Sequence, residues 1–574
     1  ILFESVSDGS FYYPLINFFS HFDFSNTLNP LIQDTKNAAF PFGSLILHTL
    51  FYKFFGLFGL ILVDLFGIFL FLVIFYRIFL FFNSEKNSLF YSLLLFGIPI
   101  ILNFYFYNFN QLPFIQFKDL FTLRVHRPFP SSIYFFAFIF LILYMHQNNS
   151  FQKKYFIFMG ILMGLSLSSF YYYFITEVIT LFIYIIYKNK KNVLNFITKN
   201  YISFILMIFI FLIISMPFLL NMIYVEEDVI TSAGVFNLDD EKRLVLLSHY
   251  SDKLFNFQFI LFNIVTIFFV LYLNLKKLNF YELANIFLII YLGTLISPFL
   301  IIIFSNKISH MYHFNNNIVV YGILLLFVSL VIFINSKKNI KLNFTYLLVF
   351  LIFTNLFHEI KAKKVKSLER LEFNKISKII NNKNLNKSNL TLLTYDSRFM
   401  IWGMMNKKID YLNLTYVGST GKNYNLIEND LINSFMFLKL NSKDFIKFLE
   451  NRLRGYRYLN ENVGIFFRHR YTANSLFTYK NSQDFEPEIK DYILNTSPLY
   501  HQQLAIPIDE FVRLENKFNS TKEENFIIPD IIILNNDLSF INKIKIDKSI
   551  FCEVFIGNMY RLYVEKNAIL ECGN

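Results

Sequence analysis

The strongest constraint on this chain is a succession of long apolar runs that fills residues 57–358, interrupted only by short polar stretches. About 20 consecutive apolar residues match the hydrocarbon thickness of a bilayer. Inside that layer a segment has to satisfy its own backbone, which a helix does. Runs of this kind cover 57–82, 88–107, 132–147, 155–170, 171–187, 202–223, 256–275, 283–304, 315–335 and 342–358. The two between 155 and 187 are the most interrupted, by Ser166, Ser168, Ser169 and three tyrosines. Residues 38–56 are apolar but carry His48 and Lys53, which suits a helix lying along the bilayer surface rather than crossing it. The expected fold is a polytopic α-helical membrane protein of about 10 spans with a C-terminal α/β domain. The chain opens Ile-Leu-Phe-Glu, with no basic n-region or cleavage site, and one further span is expected ahead of it.

Composition agrees. Hydrophobic residues make up 55% and charged residues 16% of the 574, against about 45–50% and about 25% in soluble domains. An ordinary soluble domain and a disordered chain are both excluded. The 77 Phe, 36 Tyr and 1 Trp reflect the codon bias of an AT-rich genome, so an aromatic stripe carries no functional weight here. The formal charge of +12 reports orientation loop by loop rather than a nucleic-acid partner.

If residues 1–41 lie outside the cytoplasm, alternation puts twelve cations (Lys86, Lys153, Lys154, Lys188, Lys190, Lys191, Lys199, Lys276, Lys277, Lys337, Lys338 and Lys341) inside, against Glu85 and Glu282. The outer loops, 1–41, 108–131, 224–255 and 305–314, hold eight cations and twelve acids. This satisfies the positive-inside rule. It places 1–358 in the membrane region and 359–574 in an extracytoplasmic domain, as in a multi-pass protein of a bacterial inner membrane.

The C-terminal part is long enough for its own core. Thr391–Tyr395 and Tyr411–Val417 read as strands, with a helix between them capped by Ser397. Residues 426–439 and 442–452 read as helices, the second capped by Ser442. Pro529–Asn535 is a buried-strand pattern, and Phe551–Ile556 with Met559–Val564 reads as a hairpin turned by Gly557-Asn558. Cys552 and Cys572 both lie here, where a disulfide is permitted.

The outer loops carry the chemistry-bearing residues. The first holds Asp8-Gly9-Ser10-Phe11-Tyr12 and then Asp34; the second holds Lys118, Asp119, Arg124, His126 and Arg127. Arginine is suited to bidentate phosphate binding, and the bland alternative is a pair of anchors snorkelling to headgroups. The third loop, from Glu226-Glu227-Asp228 to Asp252 with His249, reads as a solvated face, a lid, or a place for a divalent cation. His310 and His313 have helical spacing but no third metal ligand beside them. Asp64 and Glu177 are acids inside apolar runs. In the C-terminal domain, Phe467–Tyr471 and Ser497–Gln503 are polar-aromatic clusters, and no Walker loop or GxGxxG occurs.

An acid in an external loop, spaced Asp8-x-x-x-Tyr12 and followed by a juxtamembrane helix, resembles the GT-C superfamily of polytopic membrane glycosyltransferases. Gly9 stands where that family often has a second acid. The resemblance implies a polyprenyl-phosphate-linked sugar as donor, reached from the membrane lipid, and an extracytoplasmic glycan, lipid or protein as acceptor. Asp8 would be the base and Arg124 and Arg127 the phosphate clamp, with Tyr12, Asp34, Asp119 and His126 as further substrate-binding residues. Competing readings are a transporter or flippase of a lipid-linked saccharide, with Asp64 and Glu177 on its pathway, and a non-catalytic membrane scaffold.

Overall fold

The computed structural model describes residues 15–17, 19–21, 42–106, 129–224, 235–238, 240–255, 257–309, 312–336, 367–382, 390–406, 409–411, 424–453, 508–521, 528–538 and 540–568. The chain divides into two compact units. One comprises Pro41–Leu220 and Asn237–Lys363, and the other Ile1–Phe40, Asn221–Phe236 and Lys364–Asn574.

The first unit is helical. Its elements are α1 (Ile46–Phe55), α2 (Leu57–Phe79), α3 (Glu85–Phe106), α4 (Phe129–Gln147), α5 (Lys153–Ser169), α6 (Tyr171–Asn189), α7 (Val193–Lys199), α8 (Tyr201–Tyr224), α9 (Asp240–Leu254), α10 (Phe257–Leu275), α11 (Tyr281–Phe304) and α12 (Tyr312–Ser336). The first nine apolar runs fall on helices, and 342–358 lies outside the described residues. Among the described residues, three helices are long and apolar enough to cross a membrane: Leu57–Phe79, Tyr201–Leu220 and Tyr281–Phe304. Ser132–Gln147, Phe259–Leu275 and Tyr321–Ser336 are shorter apolar stretches.

Helices α2 and α8 each have one face that packs and one that does not. On α2, Phe71 and Phe75 pack on Phe136 of α4 at ring-centroid distances of 5.5 and 4.9 Å, while Leu65, Phe69 and Val73 are exposed. On α8 the exposed set includes Ile205, Phe209, Leu212 and Met216. Exposed apolar surface on this scale is compatible with a membrane surrounding. Helix α8 is held to α5 by a close crossing. A Cβ on Gly160 would lie 2.5 Å from the Met207 carbonyl oxygen, and one on Gly164 would lie 2.7 Å from Ile214 Cβ. Small residues four apart let backbones approach where lipid removes any hydrophobic drive between helices. Gly164→Leu is therefore expected to destabilise the detergent-solubilised protein by about 1–3 kcal/mol, read as a lowered Tm; an unchanged Tm would contradict this crossing.

Two interruptions shape this unit. Phe170 leaves helical geometry (φ −149°, ψ 86°) and separates α5 from α6. Gly56, at φ +56°, separates α1 from α2, a conformation natural to glycine. In addition, Arg243 of α9 donates to the carbonyls of Ile302 and Ile303 and to Asn306 Oδ1. It thus caps the carbonyl end of α11, where a cation also suits the helix dipole.

In the second unit, α13 (Ser367–Asn382), α14 (Ser397–Asn406), α15 (Tyr424–Phe437), α16 (Ser442–Leu453) and α17 (Ile508–Ser520) accompany a mixed sheet. The strands β1 (Val235–Asn237) and β2 (Lys307–Ser309) take no part in this sheet, whose strands are β3 (Leu390–Thr394), β4 (Ile409–Tyr411), β5 (Ile531–Asn535), β6 (Phe551–Ile556) and β7 (Tyr560–Glu565), in the order β4-β3-β5-β7-β6. Strand β3 pairs in parallel with β4 and β5, and β7 pairs antiparallel with β5 and β6. Every residue of β5 is buried, as a strand covered on both faces must be. One face carries Leu393, Ile532, Leu534 and Tyr563 against Phe435, Phe448 and Leu514. On the other, Tyr560 packs on Phe399 and Phe399 on Phe373.

Local corrections concern caps and ends. The helix from Ser397 is capped by Asp396, whose Oδ1 accepts the Arg398 N–H at 2.8 Å. The helix from Ser442 is capped by Asn441, whose Oδ1 accepts the Asp444 N–H at 3.0 Å. In both cases the acceptor one residue earlier reaches the second or third helical N–H. Strand β4 begins at Ile409, two residues before the expected start.

Candidate functional site

Asp8, Tyr12, Asp34, Asp119, Arg124, His126 and Arg127 all lie outside the described residues, as do Glu226–Asp228, His310, Phe467–Tyr471 and Ser497–Gln503. Helix α1 and the turn before it, which follow the Asp8 segment in the chain, are described. Gly43 sits against the α5–α6 break: a Cβ there would lie 2.5 Å from Ser168 Oγ and 2.8 Å from Ser169 Oγ. Its carbonyl accepts from Tyr134 at 3.4 Å. From this pinned start α1 exposes Ile46, Leu50 and Phe54, spaced four residues apart, with Lys53 beside them. One apolar stripe flanked by a cation is the pattern of a helix in the interfacial layer.

Close to this anchor lies a buried polar cluster drawn from several helices. Ser132 of α4 and Tyr173 of α6 are 3.0 Å apart, and Thr176 of α6 and Ser297 of α11 are 2.9 Å apart. Glu177 is fully enclosed; its Oε1 accepts from Ser166 of α5 at 2.7 Å, and its Oε2 has no hydrogen-bond partner among the described residues. A carboxyl buried in this way ties α5 to α6 across the Phe170 break. The side-chain surroundings of Asp64 are outside the described residues. The interruptions at 166–169 were visible in the sequence, but the pairing of Ser166 with an acid eleven residues later was not. Only the turn at Phe170 brings the two together.

The C-terminal unit holds a second charged cluster. Arg398 grips Asp396 through Nε (3.0 Å) and Nη2 (2.7 Å), and Nη2 also meets Glu369 Oε1 at 2.5 Å. Tyr560 donates to Asp396 at 2.9 Å. Burial works against the Arg398 charge, but the Asp396 and Glu369 carboxylates outweigh it and raise its pKa. Nearby, Glu372 accepts the backbone N–H groups of Asn558, Met559 and Tyr560 at 2.8, 2.9 and 3.1 Å. This carboxylate holds the turn of the β6–β7 hairpin, and a Cβ on Gly557 would lie 2.1 Å from its Oε2. Arg398 Nε and Nη2, the Tyr560 hydroxyl and the turn N–H groups all meet protein carboxylates, which makes the arrangement a structural brace.

Burial and the Asp396 carboxylate push the Tyr560 hydroxyl far above its ordinary value of 10.0. A pKa raised by folding means that the neutral hydroxyl stabilises the unit below pH 10 and that this contribution is lost as the pH rises towards the raised value. Tyr560→Phe is expected to cost about 1 kcal/mol at neutral pH and to make stability fall less steeply above pH 10. Denaturant titration followed by the fluorescence of Trp402, the chain's single tryptophan, checks both.

Among the described residues, no group of three His, Cys, Asp or Glu side chains could hold a metal ion. Cys552 is disulfide-bonded; Cys572, the chain's other cysteine, lies outside the described residues. No protein-family model and no curated protein matches the chain.

Proposed function

We propose that the chain is a polytopic membrane glycosyltransferase of the GT-C type. It takes a sugar from a polyprenyl-phosphate carrier and transfers it to an extracytoplasmic glycan, lipid or protein. The observation that carries this reading is α1. An interfacial helix, with its apolar stripe of Ile46, Leu50 and Phe54, leads through Gly56 into the candidate span Leu57–Phe79. The loop bearing Asp8 immediately precedes it in the chain. A base joined in sequence to a surface-lying helix suits a donor whose phosphate is presented at the bilayer surface, and a polyprenyl chain needs a lateral, apolar approach.

In this reading the membrane domain has about 10 spans, as the ten apolar runs suggest, and the basic loops lie in the cytoplasm. The disulfide at Cys552 supports an oxidising, external compartment for the C-terminal unit. Asp8 takes the acceptor proton as the bond from acceptor oxygen to sugar forms. Arg124 and Arg127 hold the phosphate that leaves with the lipid. Tyr12, Asp34, Asp119 and His126 line donor and acceptor. The sealed position of Glu177 counts against a transporter that would run its pathway past that residue. The test is transfer from a polyprenyl-phosphate-sugar by purified Asp8→Asn protein in proteoliposomes.

A further inference from the structure

We infer that the basic connection between α6 and α8 is a binding surface for anionic phospholipid headgroups. It is made of Lys188, Lys190, Lys191 and Lys199 together with Leu194 and Ile197 of α7. The inference rests on α8 crossing the membrane, not on the transferase reading.

Three observations converge on it. First, Asn200 alone separates α7 from Tyr201, where the candidate span Tyr201–Leu220 begins. A helix so placed lies within a turn of the bilayer boundary. Second, α7 docks by Phe196, whose ring lies 4.8 Å from Phe151 and 6.3 Å from Phe204. This turns Leu194 and Ile197 outward, 80% and 40% exposed. Two apolar side chains three residues apart on such a helix gain most by entering the zone between headgroups and acyl chains. Third, the charge along this stretch of chain has a single sign, and the Glu282 carboxylate on the Lys188 side meets His146 at 3.1 Å. Lys190, Lys191 and Lys199 are exposed and Lys188 is half-buried, and no acid occurs between Glu177 and Glu226. Lysines on either side of an inserted apolar pair stand at the depth of lipid phosphates, and each adds to the attraction for an anionic leaflet.

The chemistry recognised is a bilayer headgroup of net negative charge, a phosphodiester with no cation of its own beside it. A soluble phosphate would satisfy the lysines but not Leu194 and Ile197. The test uses the full chain in nanodiscs, with tryptophan introduced by Leu194→Trp and the Trp402 signal subtracted using the unsubstituted protein. Brominated phosphatidylglycerol or brominated phosphatidylcholine serves as quencher at equal mole fraction. The expected result is a blue-shifted Leu194→Trp emission, with about tenfold preference for phosphatidylglycerol. That preference should fall with added salt and drop to near unity in the Lys188→Gln, Lys190→Gln, Lys191→Gln, Lys199→Gln protein. Equal quenching by the two lipids, or a preference untouched by the four substitutions, would overturn the inference. So would an absence of quenching by either lipid. Loss of the preference on adding millimolar inorganic phosphate, but not equal ionic strength of chloride, would assign the lysines to a soluble anion instead.

Discussion

Protein carrying Asp8→Asn is expected to lose transfer from a polyprenyl-phosphate-sugar by about 100-fold or more. The amide keeps the shape of the side chain and its capacity for hydrogen bonding but cannot accept the acceptor's proton. A single loop acid contributes little to folding, so the variant should retain the Tm of the parent. Arg124→Ala and Arg127→Ala should act differently. Each removes charge-assisted bonds worth about 1.5–3 kcal/mol, which shows as weaker donor binding. Glu177→Gln is the control from the membrane unit. Its amide still accepts from Ser166 in the place of Oε1, so transfer should stay near the parent level. Full activity in Asp8→Asn would remove Asp8 from the mechanism. Lost function in Glu177→Gln at normal expression, with Asp8→Asn tolerated, would favour a transporter.

Arg398→Ala carries the largest expected effect on stability. The guanidinium, 15% exposed, is the cation between Asp396 and Glu369, both of which meet its Nη2. Without it two carboxyl groups face each other beside Tyr560, with little water to screen them. Removing one side of a buried ion cluster costs about 3–5 kcal/mol. The cost includes an indirect part, since Asp396 also caps α14 and accepts from Tyr560. Trp402 lies in the same helix, 5% exposed and edge-on to Phe399 at 6.5 Å. Its emission therefore reports unfolding of this unit in denaturant titrations. Arg398→Lys should fall between parent and alanine, because lysine restores the charge but not the two-pronged grip. A loss below about 1 kcal/mol in Arg398→Ala, the scale of a surface pair, would show that solvent already screens the cluster.

Much of the architecture is written locally. Nine of the apolar runs fall on helices because their composition leaves no other way to satisfy a backbone. The hairpin expected around Gly557-Asn558 forms one residue further on: Ile556 pairs with Arg561 and the Gly557 N–H donates to the Tyr560 carbonyl at 2.7 Å, so Asn558 and Met559 make the turn and β7 begins at Tyr560. The Pro529–Asn535 pattern contains β5 because a run of isoleucines between turn residues suits a strand buried on both faces. The seven residues proposed for donor and acceptor are legible as residue types at suitable spacing in the outer loops, whereas convergence depends on how loops distant in the chain pack.

The sequence by itself determined which of the described segments are helical and apolar, and on which loops the charge accumulates. Each of these depends on a few neighbouring residues and on solvent preference alone. Only the tertiary structure decided which polar groups meet. Ser166 and Glu177 pair because the chain breaks at Phe170. Glu372 reaches the backbone of a hairpin far along the chain. Arg243 caps a helix some sixty residues away. Gly160 and Gly164 admit α8 at close range. A buried hydrogen bond or a close crossing has no local signature, since its free energy depends on partners that come together only when the elements pack.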